Sequence, residues 1–277
     1  MKKPRVSVCI PMYNAVKFLP ETLTSVFEQT VKPFEIVMIN DCSTDASLSL
    51  AEELLSTTEI PSHIHSNAVN LGIGGSRQAF YTQTNGDYLA YLSSDDVWKP
   101  TFLERSLPHL DRICGSFTDY WHWNYAEKAK TLFSAPVSQK YYYDFQKEVI
   151  DWALRKNMFV NFSTIIIPKW WFQHIGFKAS LRHGEDLIFL LDSVISGFRW
   201  EHVEEPLLDY RLHPEQGTRQ IKRDKKQFKT LWFYIIIRLR ELGISLDVIK
   251  KSHEQSYKTS FPSFLDRVKG KVRRVIT

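Results

Sequence analysis

Residues 5–40, RVSVCIPMYNAVKFLPETLTSVFEQTVKPFEIVMIN, decide the fold. Val6, Val8 and Ile10 alternate along a strand that Pro11 breaks. Leu19, Leu23, Val26 and Phe27 then recur at helical spacing, and Pro20 is tolerated in the first turn of that helix. FEIVMIN (34–40) is a short run rich in β-branched residues, hence a second strand. The pattern repeats downstream. DCSTDASLSLAEELL (41–55) supplies a turn and a helix with Leu48, Ala51, Leu54 and Leu55 inward, and Ile64 marks a weak third strand. NLGIGGSRQAFYTQTNG (70–86) is a glycine turn feeding a helix, and YLAYL (88–92) is the fourth strand. This alternation predicts an α/β fold whose mostly parallel sheet is covered on both faces. Right-handed crossovers then place the loops that follow the strands at one edge. Those loops are PMYN (11–14), NDCSTD (40–45), the glycine turn and SSDD (93–96), all rich in hydrogen-bonding groups.

The second half is less regular. ICGSFTDYWHW (113–123), FSTIIIP (162–168) and FRWEHV (198–203) read as strands, and residues 130–144 as a loop. FQKEVIDWALRK (145–156) and HGEDLIFLLDSVISG (183–197) read as helices, the second preceded by a turn. From Lys222 the chain is expected to be helical, with Phe228, Leu231, Trp232, Ile235, Leu239 and Leu242 on one stripe.

Bulk properties narrow the classes. The 277 residues are 43% hydrophobic, ample for a large core. The apolar run Leu231–Ile237 is far short of the roughly 20 residues that span a bilayer. The N-terminus shows no apolar stretch of signal-peptide length, and the expected location is cytoplasmic. Cys9, Cys42 and Cys114 are odd in number and form no C-x-x-C pattern, so they read as reduced packing residues. The net charge of +5 is uneven: residues 214–277 carry 16 Lys+Arg against 6 Asp+Glu, leaving 20 against 25 elsewhere. A basic tail on an acidic body points to an anionic partner, or merely to a solvated helical surface. The adjacent carboxylates of YLSSDDVWKP repel each other; they could hold a metal, hold a substrate hydroxyl or cap the next helix.

Six stretches, VSVCIPMYN, INDCSTD, NLGIGGSRQ, YLSSDD, HGED and YRLH, lie in order between Val6 and His213. Together they resemble the family 2 glycosyltransferases of the GT-A fold. The resemblance implies a GT-A domain over 1–214, with a nucleotide-binding half (1–95) and an acceptor-binding half (96–214), followed by a basic helical extension (215–277). It also implies inverting transfer of a sugar from a nucleotide-diphosphate donor to an acceptor hydroxyl, with Mg²⁺ or Mn²⁺ as cofactor.

Residue by residue, the resemblance gives Asp41 to the nucleobase, where a carboxylate can accept from the N3–H of uracil, so a UDP-sugar is the favoured donor. The alternative for Asp41 is a turn or cap residue. Pro11 and Tyr13 would floor the same pocket, unless Tyr13 merely packs. The glycine turn is neither G-x-G-x-x-G nor a P-loop; in the resemblance Arg77 faces the diphosphate, against the alternative of a surface arginine. Where the family reads D-x-D, this chain has Ser93-Ser94-Asp95. Asp95 matches the metal-contacting acid, Ser93 and Ser94 fall to the donor, and Asp96 reads as a brace or cap. Trp98 reads as core. Asp186 matches the general base, Glu185 an acceptor contact, although acids are common at helix starts for other reasons. Arg211 and His213 would cover the leaving diphosphate.

The stretch FLDRVKGKVRRVIT (264–277) mixes Phe264, Leu265, Val268, Val272 and Val275 with cations, as an interfacial helix does. The expectation is peripheral docking on the inner face of an anionic membrane, with a lipid-linked saccharide acceptor in cell-surface polysaccharide synthesis. Alternatives are a non-catalytic sugar-nucleotide-binding relative or a nucleotidyltransferase. No nucleic-acid-binding motif is present, and nucleic acid is not an expected partner.

Overall fold

The computed structural model describes residues 4–111, 114–134, 160–178, 181, 184–216, 225–241 and 243–245. The first half runs β1 (Val6–Met12), α1 (Leu19–Phe27), β2 (Glu35–Asn40), α2 (Ser47–Leu55), β3 (Ser62–Ser66), α3 (Gly72–Gln83) and β4 (Tyr88–Tyr91). These strands lie in the order β3-β2-β1-β4, all parallel, as the alternation predicts. Every residue of β1 and β2 is buried. The pleat sends Val6, Val8 and Ile10 against Leu19, Leu23 and Val26 of α1 on one face. It sends Cys9, Val37 and Ile39 toward Phe80 of α3 on the other. Burial on both faces explains why these strands read as near-continuous apolar runs.

The second half contains β5 (Val97–Trp98), α4 (Phe102–Ser106), β6 (Cys114–Asn124), β7 (Ala129–Phe133), β8 (Ile166–Pro168), α5 (Lys169–Ile175), α6 (Glu185–Ile195), β9 (Arg199–Leu212) and α7 (Lys225–Glu241). β8 joins the sheet antiparallel to β4 and β6, β9 runs parallel to β6, and β5 is antiparallel to β9. The sheet is therefore mostly parallel, as expected, with short antiparallel pairings confined to the half beyond β4, which lacks the strand–helix alternation that imposes parallel crossovers.

Three expectations are corrected. Ala129–Phe133, at the start of the expected loop, pairs with β6 as a hairpin strand. Phe162–Thr164 is a 3₁₀ turn, so FSTIIIP is a strand only from Ile166. The strand begun by FRWEHV continues to Leu212, which puts Arg211 on a strand rather than a loop. The helix expected over 145–156 and the tail beyond 245 lie outside the described residues. No helix among the described residues is long and apolar enough to cross a membrane.

Candidate active site

Strand order fixes the site. β2, β1 and β4 are neighbours with Met12 beside Asn40 and Cys9 beside Tyr91, so the loops after all three leave from one edge. The first two loops are laced together. The Asn14 N–H donates to Ser43 Oγ (3.1 Å), Thr44 N–H to Asn14 Oδ1 (2.8 Å) and Ala15 N–H to Ser47 Oγ (2.7 Å). Asn14 (φ 50°) and Cys42 (φ 62°) adopt left-handed backbone here. Such strain in a non-glycine residue is characteristic of functional loops.

Asp41 is taken up by the glycine turn, the turn-residue alternative, rather than held open to a nucleobase. Its carboxylate accepts from Asn67 Nδ2, Leu71 N–H and Gly72 N–H, each at 2.8 Å. The Asn70 amide donates to its carbonyl at 3.0 Å. Asp41 is thus buried and clamps the glycine turn at the start of α3. Pro11 is buried in β1, whereas Tyr13 stands 52% exposed at the strand end and is not packed into the core.

The SSDD loop divides its labour. Asp96 is fully buried: Ser163 Oγ donates to Oδ2 at 2.6 Å and Arg211 N–H to Oδ1 at 3.1 Å. Burial and the neighbouring Asp95 push its carboxyl well above the ordinary range. Ser163 Oγ also accepts from Ser93 N–H (3.1 Å) and lies 3.1 Å from Ser93 Oγ. Thr22 Oγ1 donates to the carbonyls of Ser94 (3.1 Å) and Asp96 (2.8 Å), tying the loop to α1. Trp98 is core, stacked on Phe102 at 4.2 Å with its indole N–H on Ser163 O.

Asp95 points the other way. Its side chain is 28% exposed, and Oδ2 lies 3.0 Å from His213 Nε2. His213 packs 4.5 Å from the Phe18 ring. Arg211, fully buried, is boxed by Phe18, Trp123 and Tyr125 at 4.7–4.8 Å and approaches Glu21 at 2.8 Å. The segments after β4 and β9 and the start of α1 therefore meet at one point.

Arg77 and Glu185 are not where the sequence led. Arg77 Nη1 donates to Glu185 Oε1 at 2.5 Å, with the two side chains only 6% and 3% exposed. The guanidinium lies over Phe162 at 4.5 Å rather than open to a diphosphate, and Glu185 is turned inward rather than toward an acceptor. A buried arginine needs an anion, and Glu185 supplies it. Burial works to raise the Glu185 carboxyl, and Arg77 pulls it back toward the charged form. Asp186 follows, half-buried at the first turn of α6, with Oδ1 accepting Leu187 N–H at 2.8 Å.

Among the described residues, no three His, Cys, Asp or Glu side chains converge to hold a metal. A half-open carboxylate beside an imidazole fits a cation that keeps waters and shares a donor's phosphates, and not a protein cage. Ser163, Glu21 and Phe18 belong to this site and carry no signal in the sequence. They reach it only through tertiary packing.

The chain matches the model of "Glycosyl transferase family 2" over residues 7–172. It is 27% identical over 242 residues to the amylovoran biosynthesis glycosyltransferase AmsB of Erwinia amylovora, covering 84% of this chain and 77% of that protein. Among solved structures, S. aureus TarS in complex with UDP-GlcNAc superposes with a TM-score of 0.67 at 16% identity, covering 91% of this chain and 71% of that one. The mannosyltransferase PcManGT of Pyrobaculum calidifontis, in complex with GDP-Man and Mn²⁺, gives 0.61 at 14% identity over 99% and 81%. The likeness to these structures shows a fold of the GT-A type. The chain belongs to glycosyltransferase family 2, which sets aside the nucleotidyltransferase alternative.

Proposed function

We propose that this protein transfers a sugar, with inversion, from a UDP-sugar to a saccharide hydroxyl in cell-surface polysaccharide synthesis. The observation that carries the reading is the start of α6. Glu185 is locked to α3, while Asp186 stays half-buried in the first turn of α6, the helix end at which negative charge is favoured. In the transfer, the acceptor O–H proton passes to Asp186 as its oxygen bonds the anomeric carbon, and the bond to the diphosphate breaks. His213 lies beside the departing diphosphate, while Arg211, sealed beneath it by Phe18, Trp123 and Tyr125, braces the end of β9 rather than touching the donor; Pro11 and Tyr13 floor the uridine pocket, and Asp41 holds the turn that closes it.

Asp95 would hold Mg²⁺ or Mn²⁺ together with the donor phosphates, and such an ion neutralises charge on the leaving group. Of the two serines assigned to the donor, the Ser94 hydroxyl is left for the ribose side, while Ser93 N–H and Oγ are engaged by Ser163 and the Ser94 carbonyl by Thr22. The uridine preference is supported by the likeness to TarS, solved with UDP-GlcNAc, and the polysaccharide context by AmsB. The basic tail would dock on an anionic membrane and give access to a lipid-linked acceptor.

The test is Asp186→Asn with a panel of UDP-sugars and Mn²⁺. The variant should lose about 10²–10⁴-fold in turnover, the contribution of a positioned base. The rise in Tm given by UDP and Mn²⁺ together should remain. Undiminished turnover would refute the assignment.

A further inference from the structure

The Arg77–Glu185 pair stands between the donor turn and the base. Arg77 lies in the second turn of α3, a helix whose first amide, that of Gly72, is held by Asp41. The two helices approach closely: a Cβ on Gly74 would fall 2.6 Å from Leu181 O and 3.4 Å from Glu185 Cβ. On the other side Gly184 has φ +76°, and a Cβ there would meet Leu231 of α7 at 2.5 Å. Phe162 and Phe177 lie 4.5 and 5.7 Å from the guanidinium carbon. Arg77 Nε has no hydrogen-bond partner among the described residues, so Glu185 is the anion that answers this buried charge.

Such a pair is a poor choice for stability alone. Desolvating two charges offsets most of their attraction, and well-packed apolar residues often hold two helices as firmly. What the pair adds is a directional bond that fixes one helix end against another. We propose that Arg77 and Glu185 are positioning residues that hold Asp186 in register with the donor turn. The chain of contacts runs from Asp41 through the start of α3 to Arg77, Glu185 and the adjacent Asp186. Order imposed on residues 67–72 by a bound nucleotide is thereby transmitted to the base. The proposal rests on Asp186 being that base.

The experiment compares wild type, Arg77→Met, Arg77→Lys, the double variant Arg77→Met/Glu185→Leu, and Asp186→Asn. The assay is UDP release from UDP-GlcNAc, UDP-glucose or UDP-galactose with Mn²⁺, with water as acceptor. Tm is measured with and without UDP–Mn²⁺. Arg77→Met should lower Tm by stranding a buried carboxylate, and the double variant should recover it. In the double variant kcat should stay down by about 10–100-fold, the effect of a small misplacement, while KM for the sugar nucleotide and the UDP–Mn²⁺ shift stay near wild type. Arg77→Lys keeps the charge without the planar fork and should show the same split between kcat and KM. Wild-type kcat in Arg77→Lys, or in a double variant of recovered Tm, would overturn the proposal. Wild-type kcat in Asp186→Asn would instead refute the base itself, an outcome read from a different protein.

Discussion

Ser163 Oγ serves two residues of the acidic loop at once. It donates to the buried Asp96 carboxyl and accepts from Ser93 N–H, with Ser93 Oγ close enough to donate as well. A hydroxyl has one proton and two lone pairs, so this position is saturated. Ser163→Ala removes all three contacts and leaves Asp96 with one fewer donor in a site sealed from water. The expected cost is about 1–3 kcal/mol, read as a lower urea midpoint with an unchanged slope. Because Asp95 rides on the same loop, the UDP–Mn²⁺ rise in Tm should also shrink. An unchanged midpoint would show that the loop does not depend on Ser163. The sequence marks Ser93 as unusual through its place in YLSSDD, but it cannot reveal that Ser163 completes it. No periodicity joins residues 70 positions apart.

At the scale of elements, β2 begins on an acid that fastens three segments. Glu35, buried at the start of β2, accepts from Ser7 Oγ on β1 (2.6 Å), and from Asn85 N–H (2.5 Å) and Asn85 Nδ2 (3.2 Å) between α3 and β4. Burial works to raise this carboxyl, but the donors from Asn85 and Ser7 overcome it and hold it below its ordinary value. A carboxylate lowered on folding stabilises the fold above its unfolded pKa of about 4.3. That contribution is lost as pH falls through the lower, folded value. Glu35→Gln should therefore cost about 1–3 kcal/mol at pH 7. The difference from wild type should narrow below about pH 4. Denaturant melts across that range check it, and a gap that does not vary with pH would contradict the linkage. The elements around Glu35 are the ones most legible in the sequence, since alternation and helical spacing survive when both faces of a strand are buried. β7 was illegible because AKTLF is mostly exposed and shows no inward face. β9 was read only in part: Pro206 interrupts it, and the β6–β9 register shifts beside Thr118 and Asp119, which breaks the alternation. The glycine turn before Arg77 and the helix start at Glu185 are legible in the sequence, whereas their mutual pairing depends on the packing of α3 against α6.

For the molecule as a whole, α7 decides how much of the basic extension is structural. Trp232, Ile235, Ile236 and Leu239 are buried in the same core as α3, β4 and α6, and Arg238 bonds Asp192 of α6. Each such side chain contributes about 1.5–3 kcal/mol, so the four together approach the 5–15 kcal/mol that holds a typical domain. The extension thus divides within itself: its first helix completes the core over Gly184, and the membrane role proposed above falls to the charge-rich remainder. Two truncations separate these roles. A chain ending at Ser245 should melt within a few degrees of the full chain, keep its UDP–Mn²⁺ shift, and lose binding to vesicles containing anionic lipid. For the full chain that binding should weaken with added salt, as screening requires. A chain ending at Gln216 should fail to show a cooperative melt, because it strands the apolar face that α7 covers. Vesicle binding that survives the cut at Ser245 would move the membrane contact onto the folded body; a cooperative melt from the shorter chain would make α7 an accessory to the core it covers.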